Sequence, residues 1–384
     1  MTSRLGIIGG GQLALYVCEA AQALGAEVSI LAEPGDAPAL HRADKRFVAA
    51  LDDIAVVEQF LASCDVVTFD KEAIPDETLF HLAAAEERGH CAVWPRAETL
   101  LLLKDKGRQK EWLVQQGLPT LPFRVLSGNN LPIGELTGTL GDCLVQKACQ
   151  GGYDGRGVQI LAPITSSQAL WNVPSVVEPF LPDCREVAVI VARSHSGAIE
   201  IFPPVSMEFD AQLNSVSTVV MPAVIDSGKT GEAKALAHRA IAALGGVGVF
   251  AVEMFLTAKG ELLINEISPR VHNSGHVTMD ACSVSQFEQH ARAVLGMPLQ
   301  PGSLVSPAVM LNILYSENFR TVCPPGPTVQ TLPEQGATIY WYGKTPGHAG
   351  RKMGHINAVG RSVGDALQQA GSALERLHNE GKAA

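Results

Sequence analysis

The first part of the chain alternates short apolar runs with a segment whose apolar residues recur at helical spacing. The runs predict strands at residues 4–8, 27–32 and 65–69, and residues 12–24 predict a helix behind the first strand. Glycines 9–11 form the turn that joins this strand to the helix. Strands that alternate with helices pair in parallel, so we expect a Rossmann-like α/β domain at this end of the chain.

Beyond this region, strands outnumber helices in the pattern. Helices are expected at residues 100–116, 233–244, 283–295 and 363–377. Strands are expected at residues 143–147, 176–181, 187–192, 248–256 and 261–267. A Pro/Gly-rich stretch at residues 297–302 marks a boundary. We therefore expect three domains, over residues 1–100, 101–298 and 299–384, in a mixed α/β and α+β chain.

The last two expected strands form a hairpin whose predicted turn is Lys259-Gly260. Counting back from this turn places Glu253 opposite Glu266, where like charges repel because paired Cβ atoms lie only about 5 Å apart. A divalent cation between the two carboxylates would remove this conflict. Hard oxygen ligands with room left for phosphate oxygens suit Mg²⁺. Two solvated glutamates are the alternative.

A short apolar strand ends at Lys147 and leads into a glycine-rich segment. Gly151, Gly152, Gly155 and Gly157 are interleaved there with a tyrosine, an aspartate and an arginine. Such a loop can fold over phosphate groups, and a lysine before it can pair with them. The alternative is an ordinary hairpin turn, which needs neither this many glycines nor a flanking lysine.

The densest concentration of polar groups is the run from Glu266 to His276, directly after the hairpin. It includes Arg270, His272 and Asn273. Because every buried polar group needs a partner, a packing core has little use for this density. An anionic, metal-bound substrate would use all of these groups. The alternative is a polar surface loop.

The N-terminal glycine turn allows a second interpretation. Gly9, Gly11 and Ala14 match the G-x-G-x-x-A pattern of dinucleotide-binding folds, and Glu33 has the spacing of a ribose-binding carboxylate. This pattern favours a nicotinamide or flavin oxidoreductase. A tight turn between strand and helix needs the same glycines without a ligand, however. An oxidoreductase would also leave the glycine-rich loop, the glutamate pair and the polar run without a role.

Composition narrows the classes of function. Of the 384 residues, 46% are hydrophobic and 18% are charged, which is typical of a well-packed soluble protein. The net charge of −10 argues against nucleic acid as a partner. We expect neither a signal peptide nor a membrane span, since no apolar run approaches ~20 residues. The eight cysteines lack metal-ligand spacing and are expected to be reduced, as in a cytoplasmic protein.

Several motifs together resemble one known family. G-G-G-Q-L, K-x₃-G-G-Y-D-G-R-G, V-E-x-F, N-E-x-x-P-R-x-H-N-S-G-H, S-Q-F-E-Q-H-x-R-A and Y-G-K…R-K-M-G-H occur in this order. Over residues 5–358 the chain is similar to N5-carboxyaminoimidazole ribonucleotide synthetase, a biotin-independent ATP-grasp carboxylase of purine biosynthesis. The resemblance implies a Rossmann-like pre-ATP-grasp domain, an ATP-grasp domain and a small C-terminal domain that completes the substrate site.

The resemblance also implies a reaction and its cofactors. In that family ATP phosphorylates bicarbonate to carboxyphosphate, which carboxylates the amine of 5-aminoimidazole ribonucleotide and leaves ADP and phosphate. ATP and Mg²⁺, with Mn²⁺ as a possible substitute, are implied, whereas biotin, NAD and FAD are not expected. A cytoplasmic homodimer that binds neither nucleic acid nor membrane is implied as well.

By position, the resemblance assigns roles to four groups of residues. The metal ligands would be Glu253 and Glu266. Catalysis would involve Arg270, Lys147, Asp154 and His272. ATP would be bound by Lys106, Lys147, Gly151, Gly152, Tyr153, Asp154, Gly155, Arg156, Gly157, Glu178, Pro179, Phe180, Leu181, Glu186, Asn265 and Glu266. The ribonucleotide would be bound by Gln12, Glu72, Tyr153, Asp154, Arg156, Arg270, His272, Asn273 and, at its 5′-phosphate, Lys344, Arg351 and Lys352.

The chain departs from the family pattern in several places. Residues 14–16 read A-L-Y where G-R-M is usual, and residues 70–75 read D-K-E-A-I-P where E-F-E-N-V-P is usual. Lys106 stands where arginine is common, and Ser206 lies near a usual Glu or His. These departures leave two alternatives open. One is an ATP-grasp ligase or carboxylase for a related small amine, and the other is a catalytically silent nucleotide-binding paralogue.

Overall fold

A computed structural model describes residues 2–35, 37–128, 133–152, 157–161, 170–210, 215–316, 326–345, 347–348 and 350–383. Within these residues the strands form three sheets, of five, four and ten strands. No helix in this part of the chain is long and apolar enough to cross a membrane.

The N-terminal sheet is parallel throughout, as predicted. Its strands are β1 (Arg4–Ile8), β2 (Glu27–Ala32), β3 (Lys45–Val48), β4 (Val66–Phe69) and β5 (Ala92–Val93). Their order is β3-β2-β1-β4-β5, so the topology reverses between β1 and β4. Loops at the carboxyl ends of strands flanking such a reversal form a crevice suited to ligands.

Helices cover both faces of this sheet because successive strand residues point to opposite sides. On one face lies α1 (Gln12–Ala23), which starts at the carboxyl end of β1, together with the 3₁₀ turn Pro38–His41. The other face is covered by α2 (Ile54–Ala62) and α3 (Asp76–Glu87).

Two helices, rather than the one predicted at residues 100–116, connect this domain to the next. They are α4 (Ala97–Leu103) and α5 (Lys106–Gln115). The prediction of a single helix is wrong because Asp105 caps α5. Its carboxylate accepts a hydrogen bond from the Arg108 N–H at 3.1 Å. Aspartate favours this position because its side chain satisfies an N–H that the helix leaves unpaired.

The four-stranded sheet is antiparallel, with the order β6-β9-β7-β8. Its strands are β6 (Arg124–Ser127), β7 (Leu144–Ala148), β8 (Val158–Leu161) and β9 (Pro174–Pro179). Helix α6 (Ile133–Leu140) packs its leucines against apolar residues of this sheet. Lys147 lies on β7 of this sheet, and the glycine-rich segment of the sequence connects β7 to β8.

The ten-stranded sheet contains the remaining strands of the described residues. Its strands are β10 (Arg185–Arg193), β11 (Ile199–Ile201), β12 (Val205–Asp210), β13 (Ser215–Met221), β14 (Gly248–Leu256), β15 (Leu262–Ser268), β16 (Ala308–Leu314), β17 (Thr328–Leu332), β18 (Ala337–Trp341) and β19 (Lys352–Val359). Because β16 pairs with β13, the sheet continues across residue 299. This sheet includes strands from both sides of the boundary predicted at residue 299, so the sheet does not mark where one domain ends. The three predicted domain limits stay a prediction.

Four helices accompany this sheet in the described residues: α7 (Ser227–Leu244), α8 (Thr278–Ala281), α9 (Gln286–Val294) and α10 (Val363–Ala383). Helix α7 begins earlier than the predicted residue 233, because Asp226 caps it by accepting a hydrogen bond from Lys229 N–H at 2.8 Å. The turn between β14 and β15 also differs from the predicted two-residue turn. Leu256 pairs with Leu262, and Gly260 has a left-handed φ of +79°.

Candidate active site between two sheets

A cavity of about 240 Å³ lies between the four-stranded sheet and the β14–β15 end of the large sheet. Many residues proposed from the sequence meet there. They are Lys106, Lys147, Gly152, Glu178, Pro179, Phe180, Leu181, Glu186, Glu253, Asn265 and Glu266. Segments far apart in sequence therefore converge on a single cavity.

Apolar side chains, which the sequence prediction missed, line another part of this cavity. Val145 and Ile160 come from the small sheet, and Phe209 and Phe255 from the large one. An apolar slot between two sheets suits a flat aromatic ring such as a nucleobase. On the sequence these residues look like ordinary strand residues, so the pattern carries no signal of their role.

Glu253 and Glu266 face each other across β14 and β15, which confirms their predicted pairing. His272 Nε2 lies 3.1 Å from Glu253 Oε1, and Lys106 is ion-paired with Glu266. Burial by itself would raise the pKa of Glu266, but Lys106 outweighs it and holds this pKa at about 2. The described residues contain no cluster of three or more metal-ligating side chains. The pair therefore offers two hard oxygen donors and leaves the other coordination positions to substrate or water, which fits Mg²⁺.

Glu186 on β10 projects into the same cavity. Burial, together with the nearby charge of Glu253, raises its pKa to about 7. A carboxyl group that titrates near neutral pH can either donate or accept a hydrogen bond. This property suits a partner for ribose hydroxyls.

Glu178 is fully buried on β9 between two lysines. Lys147 Nζ lies 2.7 Å from Glu178 Oε2 and donates a hydrogen bond to Asn265 Oδ1 at 2.7 Å. Lys110 of α5 pairs with the other carboxylate oxygen, and burial lowers its pKa to about 8. The sequence prediction missed Lys110, although it lies one helical turn from Leu113 on the buried face of α5. The network fixes Lys147 at the edge of the cavity.

The polar run after β15 meets the glycine turn of the N-terminal sheet. Arg270 Nε lies 2.9 Å from Glu72 Oε2, so this ion pair joins the loops after β15 and β4. Asp70 is buried nearby and accepts a hydrogen bond from the Gly11 N–H at 2.8 Å. A Cβ at Gly9, whose φ is +113°, would lie 1.5 Å from Asp70 Oδ1. The close approach of Asp70 therefore accounts for this glycine without a bound dinucleotide.

The S-Q-F-E-Q-H motif holds the polar run in place. Gln286 Oε1 accepts a hydrogen bond from the His272 N–H at 2.9 Å, and Gln286 Nε2 donates to the His272 carbonyl at 2.7 Å. Asn273 and Asn312 of β16 exchange two hydrogen bonds, at 3.0 and 2.9 Å. The backbone of His272 is thereby fixed from α9, and the amide of Asn273 is bonded to the large sheet.

The three cations predicted at the 5′-phosphate lie in the segment from Lys344 to the start of β19. Lys344 Nζ lies 5.1 Å from the centroid of the Tyr342 ring, and Lys352 is buried at the start of β19. Burial lowers the pKa of His276 most, and the charges of both lysines lower it further. Arg351 lines a pocket together with Gly343, Thr345 and residues that follow β2, so the joint contact of the three cations with a phosphate stays a prediction.

The centre of the predicted glycine loop lies outside the described residues; it comprises Tyr153, Asp154, Gly155 and Arg156. Its two ends are described. Gly151 and Gly157 have left-handed φ values of +76° and +74°, which favour glycine over other residues. Gly152 and Val158 line the cavity, so the described residues on either side of the loop centre lie at the cavity wall.

Three family models match the chain in succession. They are the ribonucleotide synthetase preATP-grasp domain over residues 1–104, the ATP-grasp domain over residues 111–287 and the phosphoribosylaminoimidazole carboxylase C-terminal domain over residues 308–369. Together with the cavity between two sheets and its lysines and glutamates, these matches define an ATP-grasp ligase.

Relatives narrow this class to one family. The N5-carboxyaminoimidazole ribonucleotide synthase of Synechococcus elongatus is 38% identical to this chain and aligns with 97% of it and 94% of its own length. The ADP complex of an N5-carboxyaminoimidazole ribonucleotide synthetase has a TM-score of 0.87 at 33% identity and covers 100% of this chain and 99% of its own. The Aspergillus clavatus enzyme, solved with ADP and 5-aminoimidazole ribonucleotide, has a TM-score of 0.82 at 26% identity, with the same coverage. The chain belongs to the N5-carboxyaminoimidazole ribonucleotide synthase family, which confirms the resemblance drawn from its motifs.

Proposed function

We propose that this ligase carboxylates 5-aminoimidazole ribonucleotide with bicarbonate and ATP. A bicarbonate oxygen attacks the γ-phosphorus of ATP, ADP leaves, and carboxyphosphate forms. The amine nitrogen of the ribonucleotide then attacks the carboxyl carbon, phosphate leaves with the oxygen that bicarbonate supplied, and the amine loses a proton. The products are N5-carboxyaminoimidazole ribonucleotide, ADP and phosphate.

One observation carries this proposal: the polar run connects the cavity to the glycine turn. His272 contacts Glu253 in the cavity, and Arg270, two residues earlier, pairs with Glu72 beside the turn. A phosphoryl donor in the cavity and an acceptor over the turn would therefore meet at these two side chains. Phosphoryl transfer needs mainly positioning and charge neutralisation, which this arrangement provides.

ATP would lie in the cavity with its adenine in the apolar slot. The carboxylate of Glu178 is occupied by two lysines, so residues 179–181 would face the adenine mainly through their backbone. Glu186 would meet the ribose hydroxyls, and Lys106 and Lys147 would meet the phosphates. The loop from Gly151 to Gly157 would cover these phosphates.

We assign Mg²⁺ to Glu253 and Glu266, with Asn265 beside them. When bound there, the ion would supply positive charge to neutralise the transferred phosphoryl group. In the described structure Lys106 and His272 contact these carboxylates. Both side chains would then be free to contact phosphate oxygens once the carboxylates bind metal.

Carboxyphosphate is short-lived in water, so the site must exclude solvent after it forms. The partly buried guanidinium of Arg270 is suited to stabilise negative charge there, because Glu72 holds it in a fixed orientation. Tyr153, Asp154 and Arg156 would approach the ribonucleotide from the covering loop, and Gln12 from the start of α1.

We further propose that the enzyme acts as a cytoplasmic homodimer, with contacts supplied by its N-terminal and C-terminal domains. Membership of the family supports this assembly. Sedimentation equilibrium at micromolar concentration should give the mass of two chains. The mass of one chain would contradict the dimer.

The reaction can be tested by following ADP release with each substrate omitted in turn. We expect release only when ATP, Mg²⁺, bicarbonate and 5-aminoimidazole ribonucleotide are all present. Release that requires bicarbonate and a different small amine would indicate an altered substrate. No release with any amine, despite ATP binding, would indicate a silent paralogue.

A further inference from the structure

Lys110 of α5 joins the two walls of the cavity from behind. Its ammonium pairs with Glu178 on β9, in the wall formed by the four-stranded sheet. It also donates a hydrogen bond to Thr120 Oγ1 at 2.7 Å, and Thr120 Oγ1 donates in turn to the Ile264 carbonyl of β15 at 2.7 Å. Lys110 is only 3% exposed and is not among the described residues that line the cavity. It can therefore act on a bound nucleotide only through its neighbours.

Glu178 has one lysine at each of its carboxylate oxygens. Oε2 lies 2.7 Å from Lys147 Nζ, and Oε1 faces Lys110. Glu178 is fully buried, and burial alone would raise its pKa, but the two lysines outweigh burial and lower this pKa. A buried carboxylate that loses its counterions is strongly destabilised. At least one of the two lysines therefore has to remain beside Glu178.

Lys147 is the lysine that has other partners within the cavity. Its ammonium donates a hydrogen bond to Asn265 Oδ1 at 2.7 Å and lies 5.6 Å from the centroid of the Phe255 ring. In the proposed function it also contacts the phosphates of ATP. An ammonium that moves towards phosphate oxygens compensates Glu178 less, because the attraction between charges falls as their separation grows. Lys110 then supplies the positive charge that this carboxylate needs.

We propose that Lys110 is a positioning residue for ATP: as the permanent counterion of Glu178, it allows Lys147 to move from this carboxylate to the phosphates. The inference rests on the proposed function and adds to it a lysine that does not touch the nucleotide. Without a positive charge on residue 110, Lys147 would be held at Glu178 and would bind phosphate less strongly. The strength of ATP binding therefore depends on the charge of Lys110 and not only on the space that its side chain fills.

This dependence gives ATP binding a characteristic response to pH. Burial lowers the pKa of Lys110 to about 8; Glu178 on β9 opposes this shift, Lys147 on β7 adds to it, and Glu266 on β15 also opposes it. As the pH rises through 8, Lys110 loses its proton, and of the two lysines only Lys147 still neutralises Glu178. Because the ATP complex favours protonated Lys110, the affinity for ATP falls over the same range of pH.

Calorimetric titration of the whole protein with ATP·Mg²⁺, without bicarbonate or ribonucleotide, measures this response in the absence of turnover. Lys110→Arg keeps its positive charge at both pH 7 and pH 9, because a guanidinium group does not lose its proton in this range. Between these two pH values the affinity of the wild type should fall roughly five-fold further than that of Lys110→Arg. Glu186, which also titrates in this range, contributes to both proteins and cancels in the comparison.

Two further variants separate the charge of Lys110 from its contribution to stability. Lys110→Met should bind ATP·Mg²⁺ roughly ten-fold more weakly than the wild type at pH 7, and its pH response should match that of Lys110→Arg. The fitted stoichiometry gives the folded fraction, so a loss of stability is not mistaken for a loss of affinity. Arg108→Met removes a cation from the exposed face of the same helix and should keep the wild-type affinity and pH response.

An equal fall in affinity for the wild type and Lys110→Arg, or wild-type affinity in the folded fraction of Lys110→Met, would overturn the inference. The reaction itself is judged separately, by ADP release. If release requires bicarbonate and 5-aminoimidazole ribonucleotide but ATP binding is independent of the charge on residue 110, the positioning role fails and the function stands. If ATP binding follows this charge without that ADP release, the function fails and the positioning role stands.

Discussion

Glu253 and Glu266 face each other even though the turn between their strands is longer than the sequence pattern indicates. Near the turn, Phe255 pairs with Leu263, a register that on its own would bring Asn265 opposite Glu253. A register shift between Glu253 and Met254 restores the pairing of the two glutamates. Because a one-residue slip moves a side chain to the other face of a sheet, this irregularity decides whether Glu266 reaches the cavity.

The glutamate pair predicts strong dependence on both carboxylates. Glu266→Gln keeps the shape of the side chain but removes a charge that would hold Mg²⁺, so we expect turnover to fall roughly 100-fold or more. ADP release measured across a Mg²⁺ titration checks this, and circular dichroism checks the fold. Glu261→Gln, an exposed glutamate on the same hairpin, should retain wild-type turnover. Near-wild-type turnover of Glu266→Gln at ordinary Mg²⁺ would rule out the two-carboxylate site.

The N-terminal glycine turn predicts that nicotinamide and flavin cofactors do not bind. Asp70 already occupies the space beside Gly9, and Glu33 is paired with Lys71. A ligand of the native state raises stability by mass action, by about 2.7 kcal/mol at one hundred times its dissociation constant. In a thermal shift assay, ATP·Mg²⁺ should raise the melting temperature and NAD(P) or FAD should not. The reverse pattern would favour the oxidoreductase interpretation.

The candidate site shows which features can be predicted from the sequence and which cannot. The strands, the glycine turn and the hairpin can be predicted from local periodicity and turn chemistry. The polar run can be recognised because many polar side chains lie close together in the sequence. Lys110 carries no such signal, because it looks like an ordinary residue of its helix. The surroundings of this lysine are set by tertiary packing. The split at Asp105 has a local cause, since Asp105 caps α5, but the helical pattern of apolar residues continues across it.

The buried pair of Lys110 and Glu178 predicts a large effect on stability. Lys110→Met would leave the carboxylate with Lys147 alone in a fully buried position. Removing one partner of a buried ion pair costs about 3 to 5 kcal/mol, because the remaining charge is poorly compensated. Lys229→Met breaks an exposed pair with Glu232 and should cost less than about 1 kcal/mol. Urea denaturation of both variants makes the comparison, and similar costs would contradict the assigned network.

His290 predicts a specific pH dependence of stability. Its Nδ1 accepts a hydrogen bond from the Val249 N–H at 3.0 Å, and its Nε2 lies 2.7 Å from Thr68 Oγ1, so it links the N-terminal sheet to β14. Burial lowers its pKa to about 4, below the ordinary value near 6.5. The unfolded state therefore binds more protons between these two values. The stability from neutral His290 is complete above pH 6.5 and is lost as the pH falls towards 4.

A variant isolates this contribution from other titrating groups. His290→Asn can still accept from the Val249 N–H, but it does not titrate. It should be less stable than the wild type at pH 8, and the difference should shrink by about 2 kcal/mol at pH 5, where the wild type alone loses this contribution. Urea denaturation at both pH values measures the difference. A gap that stays constant between pH 8 and pH 5 would show that His290 is not held neutral by the fold.

The most direct test of the account is to follow an oxygen atom from bicarbonate to phosphate. In the proposed reaction the bicarbonate oxygen that attacks the γ-phosphorus remains bound to phosphorus when the amine displaces phosphate. With ¹⁸O-labelled bicarbonate, ATP, Mg²⁺ and 5-aminoimidazole ribonucleotide, mass spectrometry should find one labelled oxygen in each phosphate released. Phosphate that forms at the same rate without the label would mean that water, not bicarbonate, attacks ATP, and would contradict a carboxyphosphate mechanism for this enzyme.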